Sequence, residues 1–234
     1  MSIFGNFKTG ARQDSEHWMG VSDLMAGLMM VFLFISVTFM RYVLIEKDRI
    51  QEIAVTYQDT QVAIYEKLLE EFENDLEQWE AEIDRDTLSF EFKSPEVLFA
   101  VNQIEIQPRF QEILNNFFPR YLNVLENFEE HISEIRIEGH TDSSWGDASP
   151  AVAYFNNMEL SQGRTRSVLS YVYGIIPSDS TAQLWVKENV AAVGFSSSRI
   201  VLDEYGNELP RESRRVAFRV MTNADTQIRR ILNN

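Results

Sequence analysis

The hydrophobic pattern begins with an apolar run. From Trp18 to Met40, 17 of 23 residues are apolar and one, Asp23, is charged. As a helix at roughly 1.5 Å per residue, the run would reach about 35 Å, enough to cross a hydrocarbon core of about 30 Å. A cleaved secretory leader would have a shorter core and a small-residue cleavage site, whereas this run continues to Arg41. It is read as a single transmembrane helix. From Arg41 to Asp86 there is no Pro or Gly, and apolar residues recur at Ile50, Ile53, Tyr57, Ile64, Leu68, Phe72, Leu76, Trp79 and Ile83. Steps of three, four and seven predict one long amphipathic helix. Its stripe needs cover, from a second copy in a parallel coiled coil or from the domain that follows. With one membrane helix before it, the parallel dimer is the simpler expectation.

After Asp86 the period changes. Thr87 to Phe92 alternates as a strand does, and Pro108 opens a helical run through Phe110, Ile113, Leu114, Phe117, Tyr121, Leu122 and Leu125. Ile135 to Glu138 predicts a second strand and Leu160 to Tyr173 a second long helix; Val190 to Val193 and Arg215 to Val220 predict the last strands. The expected fold is α+β, with helices on one face of a sheet. The segments are then a short N-terminus (1–17), the membrane helix (18–40), the connecting helix (41–86), the α+β domain (87–222) and a tail (223–234).

Composition narrows the chemistry. The net charge is −15 and the pI about 4.6, which argues against nucleic acid as a partner, because a polyanion is bound by neutralising its phosphates with Lys and Arg. More than half of that charge comes from residues 66–86, with ten acids and two bases. The absence of Cys excludes disulfides, thiol catalysis and Cys-ligated metal sites. No phosphate loop and no Ser–His–acid arrangement stands out, so no catalytic residue, metal site or bound cofactor is expected. His140 lacks a second ligand at a useful spacing and is read as structural.

Two sets of residues invite function. Asp23 lies about five residues inside the apolar run, where an ionised carboxylate is expensive; it either carries a cation or, with Ser22, caps the first membrane turn. In the C-terminal domain, Asp142 follows a strand and Arg164 sits in the second helix. Together they could hold a zwitterion, Asp142 taking an ammonium and Arg164 a carboxylate, or they could fasten helix to sheet as an internal pair.

The residues also carry resemblances. Trp18-x4-Asp23-Leu24-Met25-x3-Met29-Met30-x-Phe32-Leu33 resembles the transmembrane signature of MotB-family stator proteins, which implies that Asp23 carries H+ or Na+. Gly139-His140-Thr141-Asp142, the run from Asn157 through Leu160, Ser161 and Arg164 to Val168, and Arg214-Arg215-Val216 resemble the OmpA-like peptidoglycan-binding domain, a βαβαββ fold. Val97, Leu98 and Phe99, Pro108, and Val193, Gly194 and Phe195 fall where that family has matching elements. The resemblance implies that Asp142 and Arg164 grip the diaminopimelate stem peptide, with Asn157 and Arg214 as further contacts. Departures are Thr165 for Ala, Ser213 for Asn, and a long loop from Ser143 to Asn156. Together the resemblances imply a non-enzymatic B subunit of an ion-driven motor in the bacterial inner membrane, its N-terminus cytoplasmic and its wall domain periplasmic. They also imply a homodimer inside a pentameric ring of a MotA-like, ZorA-type polytopic protein. The short N-terminus and proline-free acidic connector are more similar to Zorya-type anti-phage motors than to flagellar or gliding stators; a static envelope anchor is the remaining alternative.

Overall fold

The computed structural model describes residues 10–93 and 95–223, with the side chains of 10–20, 52–57 and 95–96 outside the description. Most of the expected N-terminal segment, the tail beyond Asn223 and the side chains of Trp18, Ile53 and Tyr57 therefore lie outside the described residues. The chain divides into two units, Met1–Ile53 and Ala54–Asn234. Helix α1 (Gly10–Phe72) supplies the described part of the first unit and opens the second. Within it, Val21–Gln51 contains an 18-residue window of mean hydropathy 2.2 and is long and apolar enough to cross a membrane. Its apolar side chains are uncovered; Leu24, Met30 and Phe32 are 74%, 76% and 73% exposed. The Thr38 hydroxyl donates to the Phe34 carbonyl at 2.8 Å, satisfying a polar group inside the apolar run.

In the second unit the remaining elements are α2 (Leu76–Trp79), β1 (Ala81–Asp84), β2 (Ser89–Phe92), α3 (Pro95–Leu98), α4 (Pro108–Glu126), β3 (Ile132–His140), α5 (Pro150–Ile175), α6 (Thr181–Asn189), β4 (Val190–Ser196), α7 (Pro210–Ser213) and β5 (Arg215–Thr222). The sheet order is β1-β2-β5-β3-β4, with β3 and β4 parallel and every other pair antiparallel. The α+β class and the βαβαββ succession hold through β2, α4, β3, α5, β4 and β5, with β1 added at one edge.

The core forms where α4 and the end of α1 meet the face of the sheet that carries Phe90, Phe92, Ile135, Ile137 and Phe218. Helix α4 presents Phe110, Ile113, Leu114, Phe117, Phe118, Tyr121 and Leu125 at helical spacing, all buried. Ile64, Leu68 and Phe72 are fully buried, and the Phe72 ring lies 5.3 Å from both Phe90 and Phe117. Arg120 of α4 fixes this end of α1, donating from Nε to Glu71 Oε1 at 2.6 Å and from Nη1 to Asp75 Oδ2 at 2.8 Å.

The expected connecting helix to Asp86 is corrected here, since α1 ends at Phe72. Its last turn holds no basic residue, so Glu70, Glu71, Glu73 and Asp75 crowd the negative end of the helix dipole. The chain then turns into α2, closes it with Glu80 in a left-handed conformation (φ 48°), and forms a β1–β2 hairpin pairing Ile83 with Phe90. Gln61 donates to the hairpin carbonyls of Arg85 and Asp86 at 2.9 and 2.7 Å. The expected dimer seam from Ile50 to Ile83 is corrected with it. From Ile64 onward the stripe is buried inside its own unit and is not available to a second copy.

Candidate wall-binding site

Two glycines let α5 approach the sheet. Gly139 and Gly194 are paired across β3 and β4, and a Cβ on them would fall 2.8 Å from Ser161 O and 2.5 Å from Gln162 N. The Ser161 hydroxyl accepts from Ser196 N at 3.1 Å, locking helix to strand. Thr165 is fully buried against this contact, its hydroxyl donating to the Ser161 carbonyl at 3.1 Å. The buried Ser213 hydroxyl accepts from Val201 N at 2.9 Å. Both departures from the family pattern are thus absorbed internally.

This approach brings Asp142, Asn157, Arg164 and Arg214 to one cavity of about 560 Å³, lined also by Phe99, Val101 and Trp145. The pairing differs from the simplest expectation. Asp142 Oδ2 accepts from Arg214 Nη1 at 2.7 Å, and Oδ1 accepts from Ser144 N and Oγ at 2.9 and 2.6 Å. Asn157, buried, donates to the carbonyls of Asp142 and Ser144 at 3.1 and 3.0 Å, so it shapes the loop from behind. Arg164 does not pair with Asp142, which corrects the internal-pair alternative for those two residues. Its Nε and Nη2 donate to the Gln103 and Ala100 carbonyls at 2.9 and 3.3 Å, and its guanidinium lies 4.8 Å over the Phe99 ring. Among the described residues no carboxylate compensates it. Burial, then the charge of Arg214, lowers its pKa to about 10, so it stays cationic at neutral pH while favouring an anionic partner.

The loop after Asp142 is shorter than expected, because α5 starts at Pro150 and takes in Asn157; Pro at the first helical turn explains the early start. Phe99, Val101, Asn102, Ser144 and Trp145 complete the cavity and were not picked out as site residues from the sequence. The family-like Val97, Leu98 and Phe99 were the one signal pointing toward them. A second cavity, of about 460 Å³ between α4, α5 and α6, is walled by Leu122, Ile175, Ile176 and Trp185 and holds no cation. Its charged lining residues are Glu126 and Glu129, so it offers an anionic ligand nothing.

His140, read from the sequence as structural, does not line the cavity shared by Asp142 and Arg164. It is buried, stacks on Phe195 (5.3 Å, 7° between planes) and places Nε2 3.3 Å from Glu138 Oε2. Burial lowers its pKa, with Arg215 and Arg199 adding to the effect and Glu138 partly opposing it. In the first unit, Asp23 is exposed and has no ion pair among the described residues.

No family model matches the chain. It is 58% identical to the Zorya protein ZorB of Escherichia coli over 221 residues, 94% of each chain. Among solved structures, it is similar to a MotB-like protein from Desulfovibrio vulgaris, at 23% identity and a TM-score of 0.49, over 73% of this chain and 94% of that one. The cell wall anchor of the T6SS from Pseudomonas aeruginosa matches at 19% identity and a TM-score of 0.46, over 67% of this chain and 97% of that one. With that identity over nearly its whole length, the chain belongs to the ZorB family.

Proposed function

We propose that this chain is the wall-anchored B subunit of an ion-driven stator-type motor in the bacterial inner membrane, serving a Zorya-type anti-phage system. The observation that carries the anchoring half is Arg164, a half-buried cation without a carboxylate, facing a cavity shared with the Asp142–Arg214 pair. A stem-peptide carboxylate would supply the missing charge, and a bidentate contact to guanidinium is the strong form of that interaction. Arg214 and Asn157 hold Asp142 in place, so Asp142 meets a ligand ammonium with the oxygen it already shares.

The motor half rests on Asp23, the one charge in the run from Trp18 to Met40. Ion passage through it offers about 2.3 kcal/mol per charge per 100 mV, several times thermal energy. Family membership and the resemblance together support a MotA-like partner ring around two copies of the helix, with the N-terminus in the cytoplasm and the second unit in the periplasm. The dimer contact then lies before Ile64. The ion is H+ or Na+, and the subunit itself performs no catalysis. For the anchor, co-sedimentation of the full-length chain in detergent with purified peptidoglycan is the test. Parent protein should pellet and Arg164→Ala should stay soluble; equal pelleting of both would remove Arg164 from the site.

A further inference from the structure

The geometry points to Trp145 as a ligand-binding residue, an aromatic wall on a fixed loop that packs on the aliphatic part of the peptide residue whose carboxylate Arg164 receives. The inference rests on the wall-binding reading and adds a specificity determinant to it. The loop Ser143–Ser149 is clamped from several sides. The Ser143 N–H donates to Glu208 Oε1 at 2.9 Å and its hydroxyl to Glu208 Oε2. Ser144 is held by Asp142 and Asn157 through the contacts given above, and Ala148 N donates to the Trp145 carbonyl at 3.0 Å across a turn with Gly146 at φ 49°.

The backbone at Trp145 is thus well determined while its side chain is uncommitted. Among the described residues the indole N–H donates to no protein group and the ring stacks on no other ring. Compare Trp79, which is 7% exposed and packs on Phe72 and Phe90 in the core. Trp145 is half-buried and lines the same cavity as Arg164, Val101 and Leu160. An indole on a fixed backbone has only two side-chain torsions to lose on binding, and it offers an apolar face plus a free donor. With cations at one end and apolar walls beside them, the cavity suits a free carboxylate next to methylene groups.

The test uses the full-length chain in detergent and a soluble disaccharide–peptide fragment released by muramidase from diaminopimelate-type peptidoglycan. The parent should bind with a change in tryptophan emission. Trp145→Phe should bind within about two-fold of the parent but lose most of that change, and Trp145→Ala should weaken binding about ten-fold, as loss of an anchoring aromatic does. Arg164→Ala should weaken it further. If Arg164→Ala loses binding while Trp145→Ala matches the parent, the Trp145 inference fails and the wall-binding reading stands. If the parent does not bind, both fail. Should Trp145→Ala not fold, an emission change retained by Trp145→Phe overturns the inference.

Discussion

The two ends of α1 carry similar residues in opposite settings. Between Val21 and Gln51, large side chains such as Leu24, Met30 and Phe32 are about three-quarters exposed, whereas Ile64, Leu68 and Phe72 are fully buried. Apolar periodicity identifies a face that needs cover, not what covers it. In the second unit the cover is the domain's own aromatic core. In the first nothing among the unit's described residues covers it, and Asp23, the one charge between Trp18 and Met40, stands among those uncovered side chains.

Breaking the buried end should have the largest effect. Phe72→Ala removes a ring packed on Trp79, Phe90 and Phe117, with the Arg120 guanidinium 4.7 Å over it. A loss of about 3–5 kcal/mol in chemical denaturation of the full-length chain is expected, while Phe32→Ala should leave that unfolding transition unchanged. Disulfide trapping sharpens the contrast. In membranes under mild oxidation, Ile50→Cys should crosslink between chains and Leu68→Cys should not, because Leu68 is enclosed and Ile50 is 38% exposed. Efficient crosslinking through Leu68 would restore the longer seam.

The smallest effect concerns pH. His140 has a lowered pKa, chiefly from burial, so the folded state holds its neutral form and the unfolded state takes up protons first as pH falls below about 6.5. Glu138 also lies low; burial alone would raise it, but the hydrogen bond from His140 and the charges of Arg199 and Arg219 outweigh that. Both contributions are present at neutral pH; that of His140 is lost as pH falls below about 6.5, that of Glu138 only below about 4.5. Glu91 runs the other way, raised by burial against the Arg215 charge, and favours the fold when protonated. Melting temperature should therefore fall from pH 7 to pH 5, and His140→Gln should flatten that slope. An unchanged slope would assign the acid sensitivity to other groups.

Much of this was legible in the sequence because the signals were local. Pro108 marks the start of α4, and the motif residues Asp142, Asn157, Arg164 and Arg214 do meet at one cavity. The hairpin was not legible, since Leu76, Trp79 and Ile83 satisfy a helical step while belonging to a short helix and a strand. Nor could spacing reveal that Arg214 would take Asp142. That choice depends on how far two guanidinium groups reach once Gly139 and Gly194 have let α5 settle on the sheet. Trp145 belongs to no motif; only the hold of Glu208 and Asn157 on its loop brings it to the cavity.

The most direct test of the central claim is phage protection in cells carrying the complete system with Asp23→Asn. The substitution keeps size and polarity but removes the titratable charge. Protection should be lost while membrane level and wall co-sedimentation of the subunit stay at parental values. Full protection by Asp23→Asn would contradict the motor role and leave the chain a static anchor.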